Sequence, residues 1–198
     1  MTLTIRPWTK EDIPYVCQSV SREQWGHTRN DIERCWHWEP KGCLIVGEEG
    51  VRLGHVSCIA YGKLGWIGLL IVNPELRGKG IGTALMEKAI THLRETGVES
   101  IRLEAVEEVV PLYERLDFRQ EFASLRYQGR MTAVTSASSK AGVSTVRPQD
   151  LPELVAFDSD SFGTGRARVL RSLVEGNPLH SFMAKREELL GYVVCRKT

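Results

Sequence analysis

The sequence predicts an α/β (α+β) fold: one complete unit followed by the opening half of a second. Three observations carry this. A turn with glycine at alternate positions, Arg77-Gly78-Lys79-Gly80-Ile81-Gly82, joins a short apolar strand to a long amphipathic helix. A two-stranded hairpin lies upstream of that strand. Near the C-terminus the opening of the chain recurs: Thr145-Val146-Arg147-Pro148 echoes Thr4-Ile5-Arg6-Pro7, and Gly191-Tyr192-Val193-Val194-Cys195 echoes Gly54-His55-Val56-Ser57-Cys58.

Residues 2–6 alternate as a strand does, and Pro7 stops it. Residues 10–20 space Ile13, Val16, Cys17 and Val20 as a helix does, with Glu11 and Asp12 in the first turn. Residues 30–38 make a shorter helix. Strands over 44–48 and 54–61 flank the turn Glu48-Glu49-Gly50. Residues 66–72 are continuously apolar, which predicts a strand buried on both faces. Over 81–96, Ile81, Leu85, Ala89 and Leu93 form one helical stripe, and Gly97 caps its end. A strand follows at 100–106. Pro111 opens a helix through Leu112, Tyr113 and Leu116. Two closing strands are expected at 118–122 and 125–127.

From residue 129 the composition turns small and polar, so 1–128 reads as the first domain, 129–142 as a linker and 143–198 as a partial second unit without a glycine turn. The strand at 190–195 would be an unprotected edge if it stood alone. It is expected to pair with the first domain or with another chain, which allows a homo-oligomer.

Composition narrows the function. The chain has 198 residues, 42% hydrophobic and 26% charged, and a formal net charge of +1. No global field recruits nucleic acid or a membrane surface. No apolar run approaches the roughly 18 residues of a membrane span. The N-terminus has no signal-peptide core, so cytoplasmic residence is the default expectation. The cysteines Cys17, Cys35, Cys43, Cys58 and Cys195 form no C-x-x-C pair, so neither a metal site nor a disulfide framework is expected.

The glycine turn carries the chemistry. Glycines let backbone approach a ligand, and N–H groups at a helix start point at an anion with the positive end of the helix dipole. Arg77 and Lys79 add positive charge. A di- or pyrophosphate is the natural guest. A Rossmann site would want an acid about 20 residues on, which Glu99 or Glu104 imitates, but the hairpin upstream is wrong for that fold.

Together these residues resemble the GNAT N-acetyltransferase superfamily. Arg77-x-x-Gly80-x-Gly82 is similar to its R/Q-x-x-G-x-G pattern, and Pro111-Leu112-Tyr113-Glu114-Arg115-Leu116-Asp117-Phe118 looks like its L-Y-E-K-L-G-F stretch. The match covers roughly residues 2–128. The tail, with Asp158-Ser159-Asp160-Ser161-Phe162-Gly163 and Arg166, resembles the second unit of tandem GNAT proteins. The resemblance implies a mixed central sheet flanked by helices, acetyl-CoA (CoA) as donor, and a small-molecule or peptide amine as acceptor. Pantetheine would lie between splayed strands along Leu70, Ile71 and Val72, with pyrophosphate on the N–H groups of Arg77, Gly78, Lys79, Gly80, Ile81 and Gly82. Tyr113 is the candidate general acid. The strand before the turn has no carboxylate, so Glu104, Glu107, Glu108 and His55 are the candidate bases, Glu104 foremost. Trp25 and Trp36, with Glu23, Asp31 and Glu33 nearby, would border the acceptor or else pack in the core. Two features depart from the family: the asparagine before the tyrosine helix is absent, and Asp117 replaces a glycine. A non-catalytic acyl-CoA-binding or regulatory module is the alternative reading.

Overall fold

The computed structural model describes residues 3–125 and 142–195. The chain divides into two compact units, the first ending at Ala123 and the second beginning at Ser124.

The first unit is a five-stranded sheet in sequence order: β1 (Thr4–Pro7), β2 (Cys43–Glu48), β3 (Val51–Tyr61), β4 (Leu64–Val72) and β5 (Ser100–Leu103). The first three junctions are antiparallel, and β4 and β5 run parallel. The hairpin between β2 and β3 turns through Glu49 and Gly50, both at positive φ, the backbone that matches strand twist in a tight turn.

Each face of the sheet has its own core. On one face α1 (Ile13–Arg22) and α2 (Arg29–Trp38) bury Ile13, Val16, Val20 and Ile32 against Cys43, Ile45, Leu69 and Ile71. On the other, α3 (Ile81–Glu95) and the short α4 (Val110–Glu114) bury Leu85, Met86, Ala89, Leu93 and Tyr113 against Leu44, Val46, Val56, Ile67 and Val72. Neighbours in β2 alternate between the two cores, as a period of two requires. β4 is buried on both sides, which explains its unbroken apolar run. Asp12 ties the α1 face together: fully buried, it accepts bonds from Arg6, Arg52 and the Thr9 N–H.

The second unit repeats the opening: β6 (Val143–Thr145), α5 (Leu151–Phe162), α6 (Ala167–Gly176), β7 (Ser181–Lys185) and β8 (Leu189–Val194), with an antiparallel sheet ordered β6-β7-β8. Its core joins Leu151, Leu154, Leu170 and Val174 to Met183 and Leu189. Asp158, buried, accepts two bonds from Arg166 and one from Tyr192.

Several expectations need correction. The strand expected at 100–106 ends at Leu103. Residues 118–122 form no strand; Phe118 is used instead by its N–H bond to the Tyr113 carbonyl and its edge contact with the Tyr113 ring. Of the strand expected at 125–127, Leu125 is not extended into a ladder and the rest lies outside the described residues, as does nearly all of the 129–142 linker. The strand expected at 190–195 spans Leu189–Val194 as β8 and pairs along one edge with β7.

Candidate active site

The β4–β5 ladder ends at the pair Ile67 and Leu103. Beyond it β4 continues to Val72 without a β5 partner, because β5 itself ends at Leu103. At the same place β4 carries a bulge. Its register against β3 passes from His55 opposite Ile71 to Ser57 opposite Gly68, so β4 holds one extra residue. Leu69 sits there at φ +51, a left-handed backbone that leucine adopts at a cost. The bulge also switches faces: Ile67 lies in the α3 core, Leu69 and Ile71 in the α1 core, and Leu70 and Val72 again on the α3 side.

The chain leaves β4 through Asn73, makes a 3-10 turn over Pro74–Leu76, and enters α3. Gly78 at φ +77 and Gly80 at φ +82 bend it into the cradle, and the space a Cβ would take is open at both. Gly82 differs. A Cβ there would meet Leu112 and Val72 at an ordinary 3.8 Å, with no positive φ to forbid it. Six consecutive N–H groups, Gly78 through Thr83, find no acceptor among the described residues. Helix geometry leaves the last four of these, Gly80 to Thr83, orphaned in any case; the glycine turn extends the run by two.

One cradle residue is used otherwise than expected. The Arg77 N–H donates to the Pro74 carbonyl, and its side chain donates to the Val72 carbonyl at 3.1 Å and pairs with Glu23. Ile81 offers only its N–H, because its side chain is buried in the α3 core. The Lys79 side chain is exposed.

Tyr113 is buried on α4, its ring edge-on to Phe118. Its hydroxyl makes no hydrogen bond among the described residues, and burial pushes its pKa up. Asp117 adopts φ +65, the left-handed position the replaced glycine would hold. Glu104, Glu107 and Glu108 follow β5 on exposed backbone. His55 does not belong with them as a base. It is fully buried, 2.5 Å from the Ser19 hydroxyl, and burial lowers its pKa to about 3.

Trp25 and Trp36 pack against the α1 core, the same cluster that holds Leu69 and Ile71. Trp36 donates to the Trp8 carbonyl at 3.3 Å. Of the nearby acids, Asp31 caps α2 by accepting from the Thr28 N–H and hydroxyl, and Glu33 pairs with Arg29. Glu23, through Arg77, is the one tied to the cradle. The sequence reading passed over two features, the bulge and the Arg77–Glu23 pair. Neither has a local sequence signal.

The model of the acetyltransferase (GNAT) family matches residues 5–118, more than half the chain. The chain belongs to the GNAT acetyltransferase family. The N-acetyltransferase YitH of Bacillus subtilis (strain 168), itself uncharacterized, is 30% identical over 159 residues, or 78% of this GNAT chain. The chain spans 55% of that relative's length. A candidate acetyltransferase of Pyrococcus horikoshii superposes with a TM-score of 0.70 at 23% identity, covering 97% of this chain and 71% of its own. A Clostridium acetobutylicum protein predicted to be an acetyltransferase, solved with acetyl-CoA, gives a TM-score of 0.52 at 18% identity over 63% of this chain and 96% of its own. At these identities the two structures speak for the GNAT fold alone. Among the described residues no helix is long and apolar enough to cross a membrane, and no group of three or more ligating side chains is gathered for a metal.

Proposed function

We propose that this GNAT chain moves an acetyl group from acetyl-CoA to a primary amine by direct attack. The observation that carries the reading is the run of six N–H groups without an acceptor among the described residues, Gly78 to Thr83, at the end of a strand whose last residues have no β5 partner. A pyrophosphate suits that run: each N–H gives a charge-assisted bond, and the start of α3 adds its dipole. Pantetheine then extends along the free edge of β4 at Leu70, Ile71 and Val72. One site of this kind is proposed per chain, because the second unit's described residues contain no such cradle.

The chemistry joins the amine nitrogen to the thioester carbonyl carbon and breaks the C–S bond. One proton leaves the nitrogen and one is needed at sulfur. Tyr113 is the proposed donor to sulfur. Its raised pKa keeps the phenol protonated at neutral pH, so it stabilises the developing thiolate as a hydrogen-bond donor. Glu104, the first residue after β5, is the proposed proton acceptor. Main-chain N–H groups at the bulge polarise the carbonyl, the role of fixed donors wherever an oxyanion develops. Trp25 and Trp36 border the acceptor, a small-molecule or peptide amine, with Glu23 as the nearby carboxylate. Cytoplasmic residence and an oligomer formed through the β8 edge are proposed on the sequence reading above.

The test is thiol release from acetyl-CoA in the presence of a pooled amine library that includes peptides. Turnover with at least one amine is expected. Tight binding of acetyl-CoA with no turnover across the pool would overturn the enzyme reading and leave a non-catalytic acyl-CoA-binding module.

A further inference from the structure

The segment that joins α1 to α2 is tied to the cradle. Tyr15, near the start of α1, donates its hydroxyl to the Asn73 side chain at 2.8 Å. Glu23, at the end of α1, accepts from the Arg77 guanidinium, which also donates to the Val72 carbonyl at 3.1 Å. Thus α1 is moored at both ends to the turn that leads into α3. Two residues past Glu23 stands Trp25, half-buried against the α1 core, as are Tyr15 and Trp36. Gln24 between Glu23 and Trp25 sits at φ +56, a backbone that glutamine adopts at a cost.

The carboxylates of this segment are all engaged. Glu23 pairs with Arg77, Asp31 with Arg34, and Glu33 with Arg29. Glu75, exposed on the turn before the cradle, makes no ion pair among the described residues. Burial raises the Tyr15 pKa, and on that phenol Arg22 and Glu75 act with opposite sign. Arg22, Arg29, Arg34 and Arg77 therefore stand against Glu23, Asp31, Glu33 and Glu75, and these charges balance.

We infer that the acceptor is a monoamine with an apolar, ring-sized body, and that Arg77 enforces this by holding Glu23. The inference rests on the acetyl-transfer reading above and names the acceptor class within it. An apolar body gains by leaving water for the ring surfaces of Trp25 and Trp36. A second ammonium on the same surface surrenders hydration, and the attraction of a partly exposed ring for a cation does not replace it. A carboxylate would make up the difference. Glu23 lies beside Trp25 in the chain, but the guanidinium already occupies it. Arg77 is thereby a specificity-determining residue that acts through Glu23.

The test measures kcat/KM of the full chain at saturating acetyl-CoA for three amines: phenethylamine, the same molecule carrying a para-aminomethyl group, and spermidine. Wild type is expected to favour phenethylamine over each of the others by about tenfold or more; a smaller lead, or none, would overturn the inference. Arg77→Gln releases Glu23 and is expected to raise use of the para-aminomethyl compound relative to phenethylamine by about threefold or more. Both amines are measured with the same cofactor, so a change in the cradle cancels in the ratio. Glu23→Gln is expected to leave that ratio at or below the wild-type value, and Glu23→Gln combined with Arg77→Gln to return it to the wild-type value. The Arg77 and Glu23 side chains are 51% and 27% exposed, so these variants should fold. A ratio that Arg77→Gln leaves unchanged, or that the double variant raises as much, refutes the role of Arg77 and with it the inference. Turnover confined to peptide amines sinks the inference and leaves acetyl transfer in place. No turnover with any amine overturns both.

Discussion

Gly82→Ala separates what the fold requires from what a ligand requires. Position 82 lies in the first turn of α3, without positive φ, and an added Cβ would meet Leu112 and Val72 at 3.8 Å. The protein itself has room for the methyl group. Alanine in a helix is favoured over glycine by about 0.5–1 kcal/mol, so the variant should be as stable as wild type or slightly more so, with Tm raised by about 1–4 °C. The proposed pyrophosphate site, by contrast, requires close approach to the Gly82 N–H. Losing one charge-assisted bond costs about 1.5–3 kcal/mol, or roughly a ten- to 150-fold rise in Kd for CoA. Differential scanning fluorimetry and titration calorimetry with CoA read the two effects separately. Gly80→Ala is the control of opposite sign: at φ +82 a Cβ is strained even in open space, and about 1–2 kcal/mol of stability should be lost. CoA binding by Gly82→Ala within twofold of wild type would refute the close approach. A fall in its Tm would refute the reading that the protein tolerates the methyl group.

Other substitutions test the remaining parts. Tyr113→Phe keeps the ring contact with Phe118 and should lower kcat about 10²-fold or more at unchanged CoA affinity; an unchanged kcat would make Tyr113 a packing residue. Arg77→Gln should weaken CoA less than Gly82→Ala does, because its side chain is engaged by Glu23 and Val72; a larger loss measured by calorimetry would put the guanidinium on the phosphates. Burial raises the Asp12 pKa, but the bonds from Arg6, the Thr9 N–H and Arg52 outweigh it and hold the carboxyl well below its usual range. A depressed carboxylate stabilises the fold above its unfolded value of about 4 and loses that contribution as pH falls through its folded value. Asp12→Asn should therefore lower Tm at pH 7 and flatten the acid limb of Tm against pH; parallel acid limbs would show that Asp12 is not the linked group. Calorimetry of the full chain should return one CoA per chain, and a second site would contradict a single cradle.

Much of the first unit could be read from the residues because its signals are local. Glycines at 78 and 80 announce positive φ, and a stripe at Ile81, Leu85, Ala89 and Leu93 announces which face α3 buries. Asp117 was expected to tolerate left-handed backbone, and it adopts that conformation. Tertiary choices were less visible. Phe118 opens the stretch expected as a strand, yet it serves the Tyr113 ring and carbonyl rather than a ladder. Arg77 looked like a phosphate ligand because it stands in the turn. Glu23, 54 positions earlier, competes for it, and no local pattern reports a partner that distant.

The bulge was illegible for a more specific reason. A half-buried strand reveals its register because polar and apolar residues alternate, and an extra residue breaks the alternation in view. β4 is buried on both faces, so Leu69-Leu70-Ile71-Val72 is apolar whichever way each side chain points. The parity switch between Ile67 and Leu69 leaves no trace in hydropathy. Its one sequence correlate is on the neighbouring strand: a histidine among Leu53, Val56 and Cys58, where β3 is otherwise core.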